Sequence, residues 1–212
     1  MEILSPAGSP EALRAAVCAG ADAVYLGFGQ FNARRGAKNF TREEFAAAVS
    51  YCHLRGVKVY LTLNTLCSDR EMGPAVDCAV QASKMGADAV LVQDMGLVRA
   101  LRQAAPDLPL HASTQMTIHS LDGVKQAAAL GMTRAVLARE LSRRDIAYIC
   151  AHSPIEIEVF VHGALCMCYS GQCFMSSVIG GRSGNRGMCA QPCRLPYGWG
   201  DWADGHPLSL KD

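Results

Sequence analysis

Five of the ten cysteines in this 212-residue chain, Cys166, Cys168, Cys173, Cys189 and Cys193, fall in one glycine-rich stretch. Six residues separate Cys166 from Cys173 and three separate Cys189 from Cys193, with Pro192 just before the last. Thiolates are soft ligands that hold iron–sulfur clusters or zinc, and nearby glycines let the backbone curl so that amides point at the sulfurs. Cys166, Cys173, Cys189 and Cys193 are chemically sufficient for either. Structural zinc sites usually place closely spaced Cys-x2-Cys-like pairs on tight knuckles. The Cys166–Cys173 gap is wide for that, so the spacing favours a cluster. Cysteine is also among the most buried residue types and often needs no function. That reading suits Cys18, Cys52, Cys78 and Cys150, scattered through apolar segments, and suits a Gly/Ser/Asn-rich loop badly. Cys168 has no assigned role.

Other side chains of chemical interest fall just after apolar runs. His111, Ser113 and Gln115 follow one such run and are candidates for substrate binding, although a satisfied hydrogen-bond network would explain them equally. Arg139 either pairs with Glu140 or offers its guanidinium fork to a carboxylate. His162, just before the first loop cysteine, reads as a substrate or cluster neighbour or as a structural histidine. Arg182, Arg186 and Arg194 form one basic loop and Arg34, Arg35 and Lys38 another, suited to phosphates or carboxylates unless they are ordinary solvated charges. A net charge of +1 gives no global nucleic-acid footprint, so any such contact must be local. Hydrolase signatures fail: there is no HExxH, and Gly181-Arg182-Ser183-Gly184 lacks the G-x-S-x-G spacing. A loop cysteine paired with His111 or His162 is conceivable, but a cysteine ligating a cluster is no longer a nucleophile.

These residues need a scaffold, and a recurring phrase supplies it: a helix-like segment, a glycine, then a β-branched run. It occurs at 19–28, 55–64, 85–94 and 130–140, with Gly20, Gly56, Gly86 and Gly131 as helix stops. Helix starts are signalled by Ser9-Pro10-Glu11 and by capping-box spacing at Thr41/Glu44 and Ser68/Glu71. Strands are predicted near 2–5, 22–27, 58–64, 89–93, 109–113, 134–138, 155–161 and 207–211. Eight apolar strands, most separated by helices, predict an α/β fold, a (β/α)8 TIM-like barrel truncated after its eighth strand. A doubly wound sheet ranks second, because SPAGSP after the first strand is no dinucleotide fingerprint. The prediction is one barrel domain over 1–212 with a cysteine-rich loop at 163–194 and a further C-terminal region beyond. Barrel chemistry sits at strand C-terminal ends. The polar ring there would comprise Ser5, Pro6, Gly8, Gly27, Asn64, Thr65, Gln93, Asp94, His111, Ser113, Gln115, Arg139, Glu140, His162 and Asp212. Without a leader peptide in MEILSPAGSPEAL or a membrane-length apolar run, the expectation is a cytoplasmic protein with reduced thiols.

The run Glu158-Val-Phe-Val-His-Gly-Ala-Leu-Cys166, followed by Gly171-Gln-Cys173 and Ser176, resembles the signature of the peptidase U32 family, often called collagenase-like proteases. SPAGSPEAL, AGADAVYLG, HASTQM around His111, ARELS around Arg139 and LSLKD extend the resemblance over essentially the whole chain. The resemblance implies hydroxylation of RNA bases or of a quinone precursor, a [4Fe–4S] cluster on four cysteines and, in the RNA-modifying branches, dependence on prephenate. By motif match the ligands would be Cys166, Cys173, Cys189 and Cys193. GGRSGNRGMCAQPCRLPY is most similar to the branch that hydroxylates a 23S ribosomal RNA cytidine. The tRNA uridine branch is similar through FVHGALCM-x-YSG and diverges after Cys173. The expected function is 5-hydroxylation of a pyrimidine in RNA, a ribosomal cytidine favoured. The alternatives are a U32 peptidase, tRNA uridine hydroxylation and a non-catalytic iron–sulfur protein.

Overall fold

The computed structural model describes residues 1–28, 31–32, 39–163, 165–199 and 202–209. Seven parallel strands follow one another in sheet order: β1 (Leu4–Pro6), β2 (Ala23–Leu26), β3 (Lys58–Leu63), β4 (Ala89–Val92), β5 (Leu110–Ala112), β6 (Arg134–Val136) and β7 (Glu156–Glu158). Between them run α1 (Pro10–Cys18), α2 (Arg42–His53), α3 (Asp69–Lys84), α4 (Met95–Ala104), α5 (Leu121–Ala129) and α6 (Arg143–His152), with a short α7 (Met175–Gly180) in the cysteine loop. Strand alternation sorts the side chains between the two faces of the sheet. On β3, Val59, Leu61 and Leu63 face the helices and join Phe45, Val49, Leu97 and Leu101, whereas Tyr60 faces inward with Ala23, Ala89, Leu91 and Val136. Each fully buried Leu, Val or Phe on the helix side contributes about 1.5–3 kcal/mol, so this layer carries most of the stability.

The predicted boundaries hold at the helix starts. Ser9 accepts the Ala12 amide at 3.2 Å. Thr41 and Glu44 bond reciprocally at 2.9 and 3.2 Å. Glu71 accepts both the Ser68 amide and its hydroxyl, at 2.9 and 2.7 Å. Gly86 ends α3 with φ +96°, a conformation strained for any residue with a Cβ, and Gly20, Gly56 and Gly131 are likewise positive.

The inner N-terminal end is closed by charge. The Arg134 side chain, 8% exposed, pairs with Glu2 at 2.6 Å and Glu156 at 2.6 Å, while Tyr60 donates to Glu2 at 2.9 Å. Burial would raise the Glu2 pKa, but the bonds from Arg134, Tyr60 and Lys58 outweigh it and hold that carboxyl at about 2.

The sheet is a curled half-barrel, and the described residues do not complete an eight-stranded one. Residues 207–209 form a turn where the eighth strand was expected, and 210–212, with Asp212, lie outside the described residues. Instead β8 (Tyr197–Trp199) and β9 (Trp202–Gly205) pair antiparallel as a separate hairpin. The seventh strand is also shorter than expected, because β7 is an edge of the sheet and Val159, Phe160 and Val161 beyond it are exposed. No helix among the described residues is long and apolar enough to cross a membrane.

Candidate functional site at the mouth of the half-barrel

The cysteine loop is seated on the C-terminal strand ends through Ser170, Gly171 and Gln172. Ser170, 1% exposed, donates its amide to Glu140 at 3.0 Å and its hydroxyl to the same carboxylate at 3.2 Å. Arg139 donates from Nε to the Ser170 hydroxyl oxygen at 3.3 Å. Thr117 donates to the Ser170 carbonyl at 2.6 Å, and Gln172 donates to the Thr117 hydroxyl at 2.9 Å. Gly171 lies so close to the chain after β5 that a Cβ there would stand 2.2 Å from the Gln115 carbonyl oxygen. Its φ of +77° is a second reason for glycine. A further tie comes from Arg186, which bonds the Leu66 carbonyl at 2.6 Å and pairs with Glu71 of α3. Hydrogen bonds from Arg186 and Ser68 hold the Glu71 carboxyl at about 2.

Several predicted site residues therefore meet on one rim. Asn64 donates to Ser113 at 3.4 Å and Gln93 donates to the Gln115 carbonyl at 3.4 Å. Arg139 and Glu140 both engage Ser170, the bond partner that the ion-pair reading of these two residues did not anticipate. His111 is placed differently. Its ring is 4% exposed inside the half-barrel, edge-on to Tyr60 at 4.9 Å. Burial, reinforced by the Arg134 charge, pushes its pKa down to about 3, so the imidazole is neutral at physiological pH. His162 lies on an exposed bend after β7. Arg182 is exposed, with Nε bonded to the Met188 carbonyl at 3.0 Å. Arg186 is a correction: expected to be available to phosphates, it is bound to Glu71 because the loop folds back onto the start of α3. Arg34, Arg35 and Lys38 lie outside the described residues.

None of the ten cysteines is joined in a disulfide. Cys168 lies within hydrogen-bonding reach of Cys173 and electrostatic reach of Cys166, and Cys193 within electrostatic reach of Cys189, Cys166 and Cys173, which groups the five side chains in one region of the loop. The Gln191 amide donates to the Cys189 sulfur at 3.3 Å, the kind of bond that tunes a thiolate ligand. Ser176, 3% exposed, accepts the Ala190 amide at 2.9 Å and so fixes the second cysteine pair against α7. No three His, Cys, Asp or Glu side chains among the described residues converge tightly enough for a single metal ion. A zinc ion requires sulfurs about 2.3 Å from one point. The expected core cysteines divide. Cys52 and Cys78 are buried, but Cys18 and Cys150 are exposed on α1 and α6, a correction to the core reading.

Sequence reasoning missed Ser170 and Thr117 as seating residues. The signal for the first was the Tyr169-Ser170-Gly171 run between two cysteines; for Thr117 nothing in the sequence foretold a non-glycine residue at φ +58°.

Residues 8–211 match the profile of Peptidase family U32. The chain is 43% identical to the 23S rRNA 5-hydroxycytidine C2501 synthase of Escherichia coli K12, over 100% of this chain and 33% of that protein. It is 37% identical to the tRNA hydroxylation protein P of the same strain, covering 92% of this chain and 44% of the relative. Identity to a Porphyromonas gingivalis collagenase is 35%, over 100% of this chain and 53% of that one. The chain thus spans about a third to a half of the length of these curated relatives. Among solved structures, the U32 peptidase Mk0906 superposes with a TM-score of 0.63 at 17% identity, over 77% of this chain and 70% of the other, which supports the fold. On the profile match and these full-span identities, the chain belongs to peptidase family U32.

Proposed function

We propose that this chain is the cluster-bearing barrel portion of an enzyme that installs a 5-hydroxyl on a pyrimidine in RNA, with a 23S ribosomal RNA cytidine as the favoured target. The observation that carries the reading is the seating of the cysteine loop over the polar strand ends by Ser170 and Gly171, in a chain 43% identical along its whole length to a protein named as a 5-hydroxycytidine synthase. Cys166, Cys173, Cys189 and Cys193 would hold a [4Fe–4S] cluster, with Cys168 beside Cys173 as a neighbouring thiol. When bound, such a cluster supplies one-electron redox chemistry. Hydroxylation at C5 is a net two-electron oxidation of the base and requires an external oxygen donor. This chain's residues contribute position: Glu140 and Thr117 hold the Ser170 turn, and Gly171 lets it lie against Gln115. Prephenate, the proposed co-substrate, is a dicarboxylate and suits the guanidinium of Arg139 at the rim. Exposed Arg182 remains the phosphate-contact candidate; Arg186 acts by holding the loop.

The second reading, a peptidase, is favoured by the collagenase-named relative. Against it stand the lack of HExxH and G-x-S-x-G in this chain and the burial of the His111 ring inside the half-barrel. The deciding experiment uses the full-length protein, purified anaerobically, with iron and sulfide quantified. In parallel, ribosomal and transfer RNA from a deletion strain complemented with wild type or Arg139→Lys is analysed by mass spectrometry. Restored ribosomal 5-hydroxycytidine with wild type, and its loss with Arg139→Lys, is the expected result. Restoration only in transfer RNA would move the target, and cleavage of denatured collagen without RNA hydroxylation would replace the reading by the peptidase.

A further inference from the structure

Buried carbonyl and ring-nitrogen atoms without a partner mark places where a donor belongs. Among the described residues four buried side-chain atoms lack one: Gln93 Oε1, Gln115 Oε1, His111 Nδ1 and Arg102 Nε. Arg102 lies on α4, outside the sheet. The other three come from the adjoining ends of β4 and β5. Leu91 pairs with His111 and Val92 with Ala112, so Gln93 stands beside Ser113, one inward-facing layer above His111. Gln93 is 8% exposed, and its Nε2 donates to the Gln115 carbonyl, which fixes its Oε1 as the unpartnered end of the amide. The same Gln115 carbonyl is the atom against which Gly171 packs. The two unpartnered amide oxygens therefore belong to residues lying directly under the turn that leads into Cys173.

We propose that Gln93 and Gln115 form the receptor for the exocyclic amino group of a cytosine turned out of RNA into the mouth of the half-barrel. The inference rests on the RNA-hydroxylation reading and adds which base is chosen and by which atoms. An exocyclic amine carries two N–H donors, matching two side-chain oxygens. Uracil carries a carbonyl oxygen at that position, which would face both acceptors and leave them unpaired. Enzymes that act on a base read its extruded Watson–Crick edge in this way. Sites built around a hydrogen-bonded N–H reject analogues that lack it far more strongly than apolar pockets reject a missing methylene. Neutral His111 forms the layer beneath and sets no charge of its own against the acceptors.

The test is calorimetric titration of the full-length, cluster-loaded protein with cytidine 5′-monophosphate, uridine 5′-monophosphate and the 2-pyrimidinone nucleotide that lacks the amino group. The expected result is at least tenfold tighter binding of the cytidine nucleotide than of either other. Gln93→Met and Gln115→Met, close in volume but without the acceptor, should abolish that preference while iron content stays at the wild-type value. The ligand series needs no variant, so a misfolded mutant does not remove the test. Equal affinity for the three nucleotides, no measurable binding of any, or a preference unchanged in both variants would overturn the inference, ordered water then satisfying the amides. Such a result with RNA hydroxylation intact in the complemented strain leaves the functional reading standing. Cytidine preference in a protein that hydroxylates no RNA overturns that reading and leaves the receptor.

Discussion

Alanine at position 171 would put a methyl carbon 2.2 Å from the Gln115 carbonyl oxygen and 2.8 Å from its Cα. Both atoms are backbone, so no side-chain rotation relieves the overlap; the turn must lift by about 1 Å to reach ordinary van der Waals contact. Holding alanine at the left-handed φ of +77° costs about 1–2 kcal/mol more. Lifting the turn breaks the bonds of Ser170 to Glu140 and Thr117, each worth about 1 kcal/mol net. The overlap cannot be relieved with those bonds in place, so the variant gives up roughly 3 kcal/mol of seating bonds in addition to the strain, and Gly171→Ala should release the loop. The core should survive, because the large buried side chains belong to strands β2–β5 and helices α2 and α4 and to Leu137, none of them in the loop. Expected outcomes for the full-length protein are faster proteolysis between Cys166 and Cys189, iron content below half of wild type after anaerobic reconstitution, and a Tm lowered by less than about 5 °C. Wild-type protease resistance with full iron occupancy in Gly171→Ala would refute the seating argument.

Each of Cys166→Ser, Cys173→Ser, Cys189→Ser and Cys193→Ser should lose most bound iron, whereas exposed Cys18→Ser and Cys150→Ser should retain it, as iron quantitation will decide. The Glu2 pKa is depressed on folding, so its contribution is present above about 4.5 and fades as pH falls towards 2. Glu2→Gln should therefore destabilise at pH 7 by roughly 1–3 kcal/mol, allowing for partial exposure, with a difference that shrinks by pH 3 in denaturant titrations. Arg186→Ala, because its guanidinium is committed to Glu71, should loosen the loop in hydrogen exchange while leaving the salt dependence of RNA binding unchanged; Arg182→Ala should flatten that dependence.

What local chemistry dictates was legible in the residues themselves. Alternation on Lys58–Leu63, the stops at Gly56 and Gly86 and the Thr41/Glu44 box depend on neighbours within a few positions, and each lies where the pattern put it. The grouping of the loop cysteines was equally visible, since it is written in spacing. Other features were decided only by tertiary structure. Arg186 looked like a free cation and is bound to a glutamate 115 positions away. His111 looked like a rim residue, but strand pairing seats its ring edge-on to Tyr60 inside the half-barrel. Ser170 and Gly171 became the seat of the loop only because the ends of β5 and β6 approach from elsewhere in the chain. Periodicity fixes which face a side chain occupies, whereas the partner it meets depends on strand order and loop path, which no local pattern encodes.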